Sequence, residues 1–385
     1  MRSIAIITTQ AFSLINFRGS LIRAIVATNT RVYALAPDFD DQSEAAVVNL
    51  GAIPVRISLS RTGLNPFVSL LATWKLTRVL KQLNPDIVLS YFIKPVIFGS
   101  IAAWLARVPN RFAMIEGLGY SFESDKNNGV LRSTLQTTAK LLLKFAFGRL
   151  NKVFFLNNDD IDLLVRANIV PLNKTILIDG IGLDLDWYVP VEPIVKPITF
   201  VLTARMIKEK GIYDFIEAAR MVKTDSPAVR FLLVGGVDLN PGSVKEDELV
   251  HWVDEGLVEW AGWVGDVRPW LARSSVFVLP SYYREGLPRS TQEAMAMGRP
   301  IITTDWVGCR NTVSHGVNGF MVPICSPTSL AQAMMKFVEH PELVKTMGAE
   351  SRRIAEGRFN VHIINRQIMD AMQLTIQNIA VIPEK

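Results

Sequence analysis

The sequence predicts an α/β protein made of two doubly wound domains in tandem, each with a parallel sheet. Short runs of β-branched residues alternate with helical patterns in the first half of the chain, and the same alternation restarts in the second half. A proline-rich stretch, YVPVEPIVKP, separates the two series and is the best candidate for an interdomain linker. Alternating strands and helices favour parallel pairing, and 385 residues are enough for two domains of ordinary size.

The strand signals are short apolar runs that end in turn residues. In the first half they cover residues 3–8, 31–35, 54–57, 86–89 and 152–156. In the second half they cover residues 198–203, 231–234, 258–261, 276–279, 300–303 and 319–322. From Ser329 onward the pattern predicts two or three helices, and the last, at about 361–381, is long enough to cross back onto the first domain.

These elements set the expected domain boundaries. We predict a first domain at residues 1–186, a second at residues 187–355, and a C-terminal helix at residues 356–385 that returns to the first domain. Ligands of doubly wound sheets bind outside the carboxyl ends of the strands. We therefore expect the two domains to face each other across a cleft that holds the active site.

The distribution of charge limits the classes of binding partner that we expect. The net charge is +5, and residues 1–190 carry 20 Lys and Arg against 14 Asp and Glu, whereas residues 191–385 carry 21 against 22. The basic excess of the first half is either ordinary surface charge or an attraction to anionic lipid or an anionic acceptor. No concentrated basic run or aromatic-studded basic strand occurs, so nucleic acid is not expected as a partner.

The expected compartment is the cytoplasm. The N-terminal apolar run passes into Thr8, Thr9 and Gln10 without a cleavage site, so it indicates a first strand and not a signal peptide. Two cysteines, Cys309 and Cys325, are too few for a disulfide framework. No uninterrupted apolar run of about 18 residues occurs, so any membrane contact should be peripheral.

Two cations follow the first strand of the second series. That strand ends in TARMIKEKG, which puts Arg205 and Lys210 on the loop that leads into the next helix. Arg offers a planar fork that fits two phosphate oxygens and Lys offers a mobile point charge, so the two side chains can bracket a diphosphate. The alternative is ordinary solvated surface charge.

A second motif, REGLPRSTQEAMAMGRPII, places Glu285 eight positions before Glu293. Gly286 allows the backbone to come close to a ligand, and Ser290 and Thr291 near the helix start leave amide donors for a phosphate. Glu293, about one turn inside the helix, can accept both hydroxyls of a ribose. A helix with two glutamates is ordinarily a solvated face, but the order and spacing of the two motifs favour a nucleotide site.

Together these stretches resemble family 4 of the retaining glycosyltransferases, which have the GT-B fold of two Rossmann-like domains. The resemblance covers essentially the whole chain and includes FLLVGG, GWVGDVRPWLARSSVFVLPSYYREGLPRS and GVNGFMV. It implies a donor-binding set in the second domain, namely Arg205, Lys210, Gly286, Leu287, Pro288 and Glu293. Within this set, Arg205 and Lys210 would bind the diphosphate and Glu293 the ribose. Glu285 and the backbone at 286–288 would face the transferred sugar, which makes Glu285 a catalytic candidate.

Four further stretches resemble a bacterial subgroup of that family: NFRGSLI around Gly19, SRTGLNPF at 60–67, IKP at 93–95 and EGLGYSF at 116–122. Members of the subgroup add N-acetylgalactosamine or related sugars to undecaprenyl-diphosphate-linked acceptors in surface-glycan or N-glycan assembly. The resemblance implies a UDP-sugar donor, an N-acetylated hexosamine as the transferred sugar, and a first domain that binds the acceptor. It also adds Gly19 to the donor-binding candidates. A fucosamine-type sugar or an unmodified hexose stays open.

The first domain departs from the family pattern at one position. Many family members carry a His after the fourth strand, facing the donor sugar, where the stretch SYFIKPVIFG has Ile93 and Lys94. Lys94 could stabilise negative charge in its place, contact an acceptor phosphate, or be a surface lysine, and all three interpretations stay open. Glu116, in EGLGYSF, is the other catalytic candidate of this domain. None of the four histidines lies in the expected position.

No metal site and no cofactor are predicted. Asp38-Phe39-Asp40 has the spacing of a metal-binding pair but lies in an early loop, so we interpret it as surface. We expect retaining transfer without a divalent cation, in which fixed cations and helix amides stabilise the leaving diphosphate.

One helical segment could contact a membrane. Residues 133–150, STLQTTAKLLLKFAFGRL, combine a broad apolar face with Lys140, Lys144 and Arg149. Such a helix either rests in the membrane interface or packs on a core with snorkelling lysines. We predict peripheral docking on the anionic inner face of the plasma membrane, to which further side chains would contribute: Phe12, Phe17, Trp74 and Lys75.

Three rival functions predict different sequence features. A nicotinamide-dependent dehydrogenase should show G-x-G-x-x-G after a first strand, and neither ITTQAFSLINFRG nor LTARMIKEKG supplies it. A two-lobed sugar-binding protein would be exported, which the expected first strand at the N-terminus argues against. A sugar-nucleotide epimerase of the same architecture would share the nucleotide site and stays as the alternative.

Overall fold

The computed structural model describes residues 1–59, 66–119, 130–238 and 242–375. It divides the chain into two compact units, Met1–Gly182 together with the segment that begins at Val361, and Leu183–Asn360. The domain boundaries predicted from the sequence, 186/187 and 355/356, lie within a few residues of these two divisions.

Each unit contains one parallel sheet. The strands of the first sheet are β1 Ser3–Ile7, β2 Arg31–Ala36, β3 Ile53–Arg56, β4 Ile87–Tyr91, β5 Asn110–Ile115, β6 Lys152–Phe155 and β7 Thr175–Leu177. The strands of the second sheet are β8 Thr199–Thr203, β9 Arg230–Val234, β10 Glu259–Trp260, β11 Val276–Leu279, β12 Ile301–Thr304 and β13 Gly319–Val322. The strand orders are 3-2-1-4-5-6-7 and 10-9-8-11-12-13. Both are doubly wound orders, which confirms the predicted fold class.

The helices occupy the crossovers. They are α1 Ala11–Asn16, α2 Gly19–Ala27, α3 Asp41–Asn49, α4 Pro66–Leu83, α5 Ser100–Leu105, α6 Val130–Gly148, α7 Asn158–Arg166, α8 Ile212–Asp225, α9 Glu246–Asp254, α10 Arg268–Ala272, α11 Arg289–Ala296, α12 Pro327–Glu339, α13 Glu342–Arg358 and α14 Val361–Ala371. A π-helix, Pro95–Gly99, precedes α5. In the first unit α14 packs against α2, where the Asn365 amide donates to Ser20 Oγ at 3.0 Å. Within the four described stretches, no helix has the length and apolarity that a membrane crossing needs.

The strands are buried because helices cover both faces of a parallel sheet. On one face of the first sheet, α4 and α5 contribute Leu76, Leu80 and Ala103 to a cluster with β1 and β4. On the same face, α6 contributes Leu143 and Phe147 to a neighbouring cluster with β5 and β6. The three helices therefore form one layer over the sheet.

Two strands of the first sheet had no clear signal in the sequence. The β5 stretch reads NRFAMI, in which Ala and Met have low strand propensity and only the last residue is β-branched. The β7 strand has three residues and lies at the sheet edge. Both are specified by pairing with β6, which neither stretch reveals by itself.

The proline-rich stretch at 188–197, predicted as an interdomain linker, follows the first division between the two units and is fixed to the second unit. It belongs to the second unit, and its backbone carbonyls are bound by side chains of that unit. The fully buried Arg299 donates to the Val191 carbonyl at 2.8 Å, and Ser275 Oγ donates to the Ile194 carbonyl. Prolines remove backbone donors, so this stretch is tied down through its acceptors.

Candidate active site

The second sheet reverses its strand order between β8 and β11. From β8 the order runs to β9 and β10, and from β11 it runs to β12 and β13 in the opposite direction. In doubly wound sheets, ligands bind outside the carboxyl ends of the strands at this switch point. The loops that follow β8 and β11 carry the two motifs found in the sequence.

The loop after β8 holds both predicted diphosphate cations. Arg205 is half-exposed, with 46% of its side chain accessible, and its Nη1 lies 2.8 Å from Asp238 Oδ2. Lys210 ends a short 3₁₀ turn, Lys208–Lys210, and only 14% of its side chain is accessible. Both cations therefore stand at the carboxyl edge of the sheet, as the strand ending in TARMIKEKG predicted.

Backbone contacts join this loop to the loop after β11. The Glu209 carbonyl accepts hydrogen bonds from the amides of Tyr282 and Tyr283, at 2.9 and 3.0 Å. Gly211 follows with φ +77, and a Cβ on it would overlap the carbonyl oxygen of Pro280. The close approach of the two loops thus needs a residue with no side chain at 211.

The two sequence motifs meet at Lys210 and Glu285. The Lys210 ammonium forms an ion pair with Glu285 Oε1, and the Ser281 hydroxyl donates to the same oxygen at 3.2 Å. The ammonium also lies 5.4 Å from the centre of the Tyr283 ring, in cation–π range. A cation from one motif and a carboxylate from the other therefore stand together beside the switch point.

The turn at Gly286, Leu287 and Pro288 is buried and leads into α11. It is supported from behind by Gly308, where φ is +77 and a Cβ would stand 2.7 Å from the Glu285 carbonyl oxygen. Pro288 occupies the N-cap position of α11, and no side chain caps the helix start. The first amides of α11 are thus not capped by a side chain at the end where a helix attracts anions.

Glu293 is held by two side chains that the sequence reading missed. The Tyr188 hydroxyl donates to Glu293 Oε1 at 2.8 Å, and Arg289 Nε donates to the same oxygen at 2.9 Å. The Arg289 partner was open to prediction, because residues four apart on a helix face each other. Tyr188 lies 105 residues away along the chain and gives no local signal.

The carboxyl edge of the first sheet contains a buried ion pair. Arg18, only 2% accessible, pairs through Nη2 with Glu116 Oε1, which follows β5. The Arg18 guanidinium also lies 4.5 Å from the centre of the Tyr91 ring. Arg18 was missed in the sequence although it immediately precedes Gly19 in the motif NFRGSLI. The catalytic candidate Glu116 is thus oriented by a buried cation.

A row of hydroxyl groups leads from the Arg18–Glu116 ion pair toward the end of β1. Tyr91, at the end of β4, is fully buried and its hydroxyl lies 2.7 Å from Ser13 Oγ, which lies 3.0 Å from Thr8 Oγ1. Burial raises the pKa of Tyr91, an effect that the nearby Arg18 charge opposes. Like β8 and β11 in the second sheet, β1 and β4 flank the switch point of the first sheet.

Lys94 and Gly19 also lie in the first unit. Lys94 precedes the π-helix, two residues after Phe92, whose φ of +67 is unusual for a bulky residue. Partial burial lowers the pKa of Lys94. Gly19 begins α2, and a Cβ there would meet only Leu50 at an ordinary 3.5 Å. The fold itself therefore does not require glycine at 19.

Acidic side chains do not gather into a metal site in the part of the chain that the structure describes, where no group of three or more His, Cys, Asp or Glu residues could hold an ion. Asp38 Oδ1 accepts from the Ala11 amide at 2.7 Å. Asp40 caps α3 and accepts from the Ser43 amide at 2.8 Å. Both aspartates of the early loop are exposed, as predicted, and have local structural roles.

Comparison with known families identifies both halves of the chain. The family model described as glycosyl transferases group 1 matches residues 197–340. The model described as glycosyl transferase 4-like matches residues 21–157. The first match contains Arg205, Lys210, Glu285 and Glu293, so the switch-point residues of the second sheet lie inside a glycosyltransferase domain.

Proteins with similar sequences are named as sugar transferases. The chain is 29% identical over 383 residues to N,N'-diacetylbacillosaminyl-diphospho-undecaprenol alpha-1,3-N-acetylgalactosaminyltransferase of Campylobacter jejuni, covering 95% of this chain and 97% of that one. It is 28% identical over 309 residues to UDP-Gal:alpha-D-GlcNAc-diphosphoundecaprenol alpha-1,3-galactosyltransferase of Escherichia coli, covering 76% of both chains. Both relatives are sugar transferases, and the comparisons give the epimerase alternative no support.

Solved structures agree with the fold. Anabaena HepE, crystallised with UDP and glucose, superposes with a TM-score of 0.76 at 18% identity and covers 97% of this chain and 100% of its own. Sucrose-phosphate synthase of Thermosynechococcus elongatus gives a TM-score of 0.74 at 18% identity, with 97% and 98% covered. At this level of identity the likeness concerns the GT-B fold alone. The two glycosyltransferase family models, which cover residues 21–157 and 197–340, and the full-length relative together lead us to conclude that the chain is a glycosyltransferase of the GT-B fold, a hexosyltransferase.

Proposed function

We propose that the chain transfers an N-acetylhexosamine, such as N-acetylgalactosamine, from a UDP-sugar to a saccharide linked to a polyprenyl diphosphate. The proposal includes retention of the anomeric configuration and no need for a divalent cation or another cofactor. The observation that carries it is the ion pair of Lys210 and Glu285 beside the switch point of the second sheet, followed in the chain by helix α11, which carries Glu293. The names of the Campylobacter jejuni and Escherichia coli relatives support the donor and acceptor classes.

In the proposed complex, Arg205 and Lys210 bind the diphosphate of the donor and Glu293 binds its ribose. Glu285 and the backbone at Gly286, Leu287 and Pro288 face the sugar. Breaking the bond between sugar and diphosphate develops negative charge on the leaving phosphate. The cations of the loop after β8 and the first amides of α11 can stabilise that charge without a metal ion, since helix N-termini and positioned cations favour a developing anion.

On the acceptor side, we assign the first unit and its candidates Lys94, Glu116 and Gly19. The Arg18 partner keeps the Glu116 carboxylate in one orientation, as is required of a group that positions an attacking hydroxyl. We assign Lys94 to a negative charge, either of the leaving group or of the acceptor phosphate, because a nearby anion would offset the burial that lowers the pKa of its ammonium. The products would feed the assembly of a bacterial surface glycan or N-glycan.

A donor and acceptor screen tests this function. Radiolabelled UDP- and GDP-sugars are offered with short polyprenyl-diphosphate-linked saccharides, and the anomeric configuration of the product is read by NMR. We expect transfer from a UDP-N-acetylhexosamine with retention, and loss of transfer in Glu293→Ala. Full activity in that variant would contradict the assignment of the site, and turnover of the sugar nucleotide without acceptor would contradict the transfer reaction.

The metal independence has its own test. We expect unchanged initial rates after dialysis against EDTA, because no step of the proposed reaction uses a divalent cation. Loss of activity that only Mn²⁺ or Mg²⁺ restores would contradict this part of the proposal and leave the donor site in place.

We further propose that the enzyme works at the inner face of the plasma membrane, attached through the outer surface of α4, α5 and α6. These helices and the residues directly after them contain no Asp or Glu between 66 and 85, between 100 and 110, or between 130 and 158. Their exposed cations include Lys75, Arg78, Lys81, Lys140 and Lys144. A surface with one sign of charge is complementary to anionic lipid headgroups.

The same surface exposes large apolar side chains. Leu141 is 63% accessible and Trp74 is 49% accessible. The Arg78 guanidinium lies 3.6 Å from the centre of the Trp74 ring, and Arg149 lies 3.5 Å from the centre of the Phe145 ring. Aromatic rings beside cations suit the boundary between headgroups and acyl chains. This layer extends the membrane segment predicted from sequence to three helices.

Vesicle flotation tests the membrane proposal. We expect binding to vesicles that contain phosphatidylglycerol and release by salt, and about tenfold or more weaker binding by K140E/K144E. The control R230E/R353E changes two exposed cations of the second unit and should bind like the original chain. Equal binding by both double variants, or none by the original chain, would contradict the proposal. Activity of K140E/K144E on a short acceptor in detergent should be retained.

A further inference from the structure

The segment that carries Tyr188 is fixed at several points before it reaches Glu293. Asp184 Oδ1 accepts the amides of Asp186 and Trp187, at 3.0 and 3.2 Å. The Tyr188 amide donates to the Asp184 carbonyl at 3.0 Å. Arg352 Nη1 then donates to the carbonyl of Tyr188 at 2.7 Å. The backbone on both sides of the Tyr188 ring is therefore held in one conformation.

Two arginines attach this segment to other parts of the second unit. Arg352 Nη1 also donates to the carbonyl of Ala296, the last residue of α11, at 2.8 Å. Arg268 lies 3.6 Å from the centre of the Trp187 ring and donates to the Trp187 carbonyl at 3.2 Å. Since Arg352 binds the segment and the end of α11 together, Tyr188 has a fixed position relative to the helix that carries Glu293.

The Tyr188 hydroxyl is suited to act as a permanent donor. The residue is only 8% accessible, and burial, together with the Glu293 charge, raises its pKa well above the usual value. The hydroxyl therefore keeps its proton at neutral pH and donates to the carboxylate. With Arg289, it places two donors on Glu293 Oε1. A carboxylate oxygen offers two lone-pair positions, so both positions of Oε1 are occupied.

We propose that Tyr188 is a positioning residue for the donor nucleotide, which fixes the Glu293 carboxylate so that Oε2 meets the ribose hydroxyls. The inference rests on the proposed role of Glu293 and sharpens it, because ribose binding then uses one carboxylate oxygen instead of both. A phenylalanine at 188 would keep the ring packing and lose only the hydroxyl. The carboxylate would then be held by Arg289 alone and would sample more than one orientation.

Calorimetric binding of UDP to the full chain tests this inference through Tyr188→Phe and Glu293→Gln. We expect Tyr188→Phe to weaken UDP binding by about fivefold to tenfold and to raise the donor KM while kcat changes little. In the Glu293→Gln background the same change should have less than about a twofold effect, since the two residues act as a pair. The control Tyr213→Phe removes another tyrosine hydroxyl that bonds a glutamate, Glu248, at 3.2 Å. That variant should bind UDP normally.

The outcomes separate the two proposals. Wild-type affinity in Tyr188→Phe, with weakened binding in Glu293→Gln, overturns the positioning role and leaves the ribose site intact. Unchanged affinity in Glu293→Gln overturns both. An equal loss from Tyr188→Phe in both backgrounds shows a structural effect that does not act through Glu293 and also overturns the inference. Thermal unfolding of each variant is measured alongside, because a purely structural role would lower the midpoint without affecting UDP binding selectively.

Discussion

The two sheets use charge in opposite ways at their switch points. In the first unit, the cation next to the switch point, Arg18, is fully buried and paired with Glu116. In the second unit, Arg205 is half-exposed and paired with Asp238, and Lys210, on the same loop, is partly buried and paired with Glu285. The same architecture thus presents a carboxylate fixed by a buried cation at one edge and two loop cations, one of them half-exposed, at the other.

The difference indicates what each edge can bind. A cation at the surface can exchange its carboxylate partner for a phosphate, because water and ligand reach it. A buried cation cannot exchange partners, since the carboxylate left behind would lose its compensating charge. The first edge is therefore suited to orienting a neutral group such as a hydroxyl, and the second to holding an anion.

The largest expected effect concerns the buried pair. Arg18→Met should destabilise the first unit by about 3–5 kcal/mol, because it leaves the Glu116 charge without a partner. Urea unfolding measures the loss, and R18M/E116Q should recover part of it. The matched control is Arg56→Met in the exposed pair with Glu44, which should cost at most about 1 kcal/mol. Equal costs at the two pairs would remove the distinction between a buried and an exposed cation.

A similar effect, on rate instead of stability, is expected at the second edge. Lys210→Ala should lower kcat by about 100-fold to 1000-fold, the usual loss when one stabilising donor leaves a transition state. Folding should be affected little, which circular dichroism checks. Lys208→Ala is the control, since Lys208 is mostly exposed and lies 3.8 Å from the nearest carboxylate oxygen. A fully active Lys210→Ala enzyme would mean that the cation is as structural as Arg18.

A smaller effect should separate binding from catalysis at the same pair. Glu285→Gln removes the carboxylate that holds the Lys210 ammonium, so UDP should bind about threefold to tenfold more tightly through the reduced competition. Transfer should nevertheless slow, because Glu285 is proposed to face the sugar. Glu255→Gln, in the exposed pair with Arg220, serves as control. Weaker UDP binding in Glu285→Gln would show that the carboxylate helps the diphosphate instead of competing with it.

The smallest effect concerns a feature that both edges share, a buried tyrosine. Burial raises the pKa of Tyr91 and of Tyr188 above the usual tyrosine value of about 10. Above about pH 10 the unfolded chain releases these protons and the folded chain keeps them, so stability should fall as pH rises. Tyr91→Phe and Tyr188→Phe should each reduce that slope by up to about 1.4 kcal/mol per pH unit. An unchanged alkaline slope in either variant would contradict its buried state.

The sequence predicted the strands and site residues that depend on local pattern. Strand runs followed by turn residues revealed most of both sheets, and the motifs TARMIKEKG and REGLP led to Lys210 and Glu285, which the structure brings into contact. These residues follow strands directly, so the topology alone determines their position. The placement of Arg205 at the same edge followed for the same reason.

The sequence did not reveal contacts between distant positions. Tyr188 lies in the stretch predicted as a linker, and its hydroxyl contacts Glu293, 105 residues later. The partner of Glu116 depends on how α2 begins beside β5, which no local pattern encodes. Residues 60–65 and 120–129, which carry most of the predicted stretch SRTGLNPF and part of EGLGYSF, lie outside the described residues. The roles of Lys94, Glu116 and Gly19 stay predictions.

The missing side chain at Gly211 has a consequence for genetics. Any other residue there would push the loop after β8 away from Pro280, and the ammonium next to it in the chain would move with the loop. A selection for lost enzyme activity would therefore recover substitutions at 211 beside those at Lys210, although Gly211 has no side chain to offer a substrate. Intolerance to mutation at this position would reflect the close spacing of the two loops and not a catalytic role of Gly211.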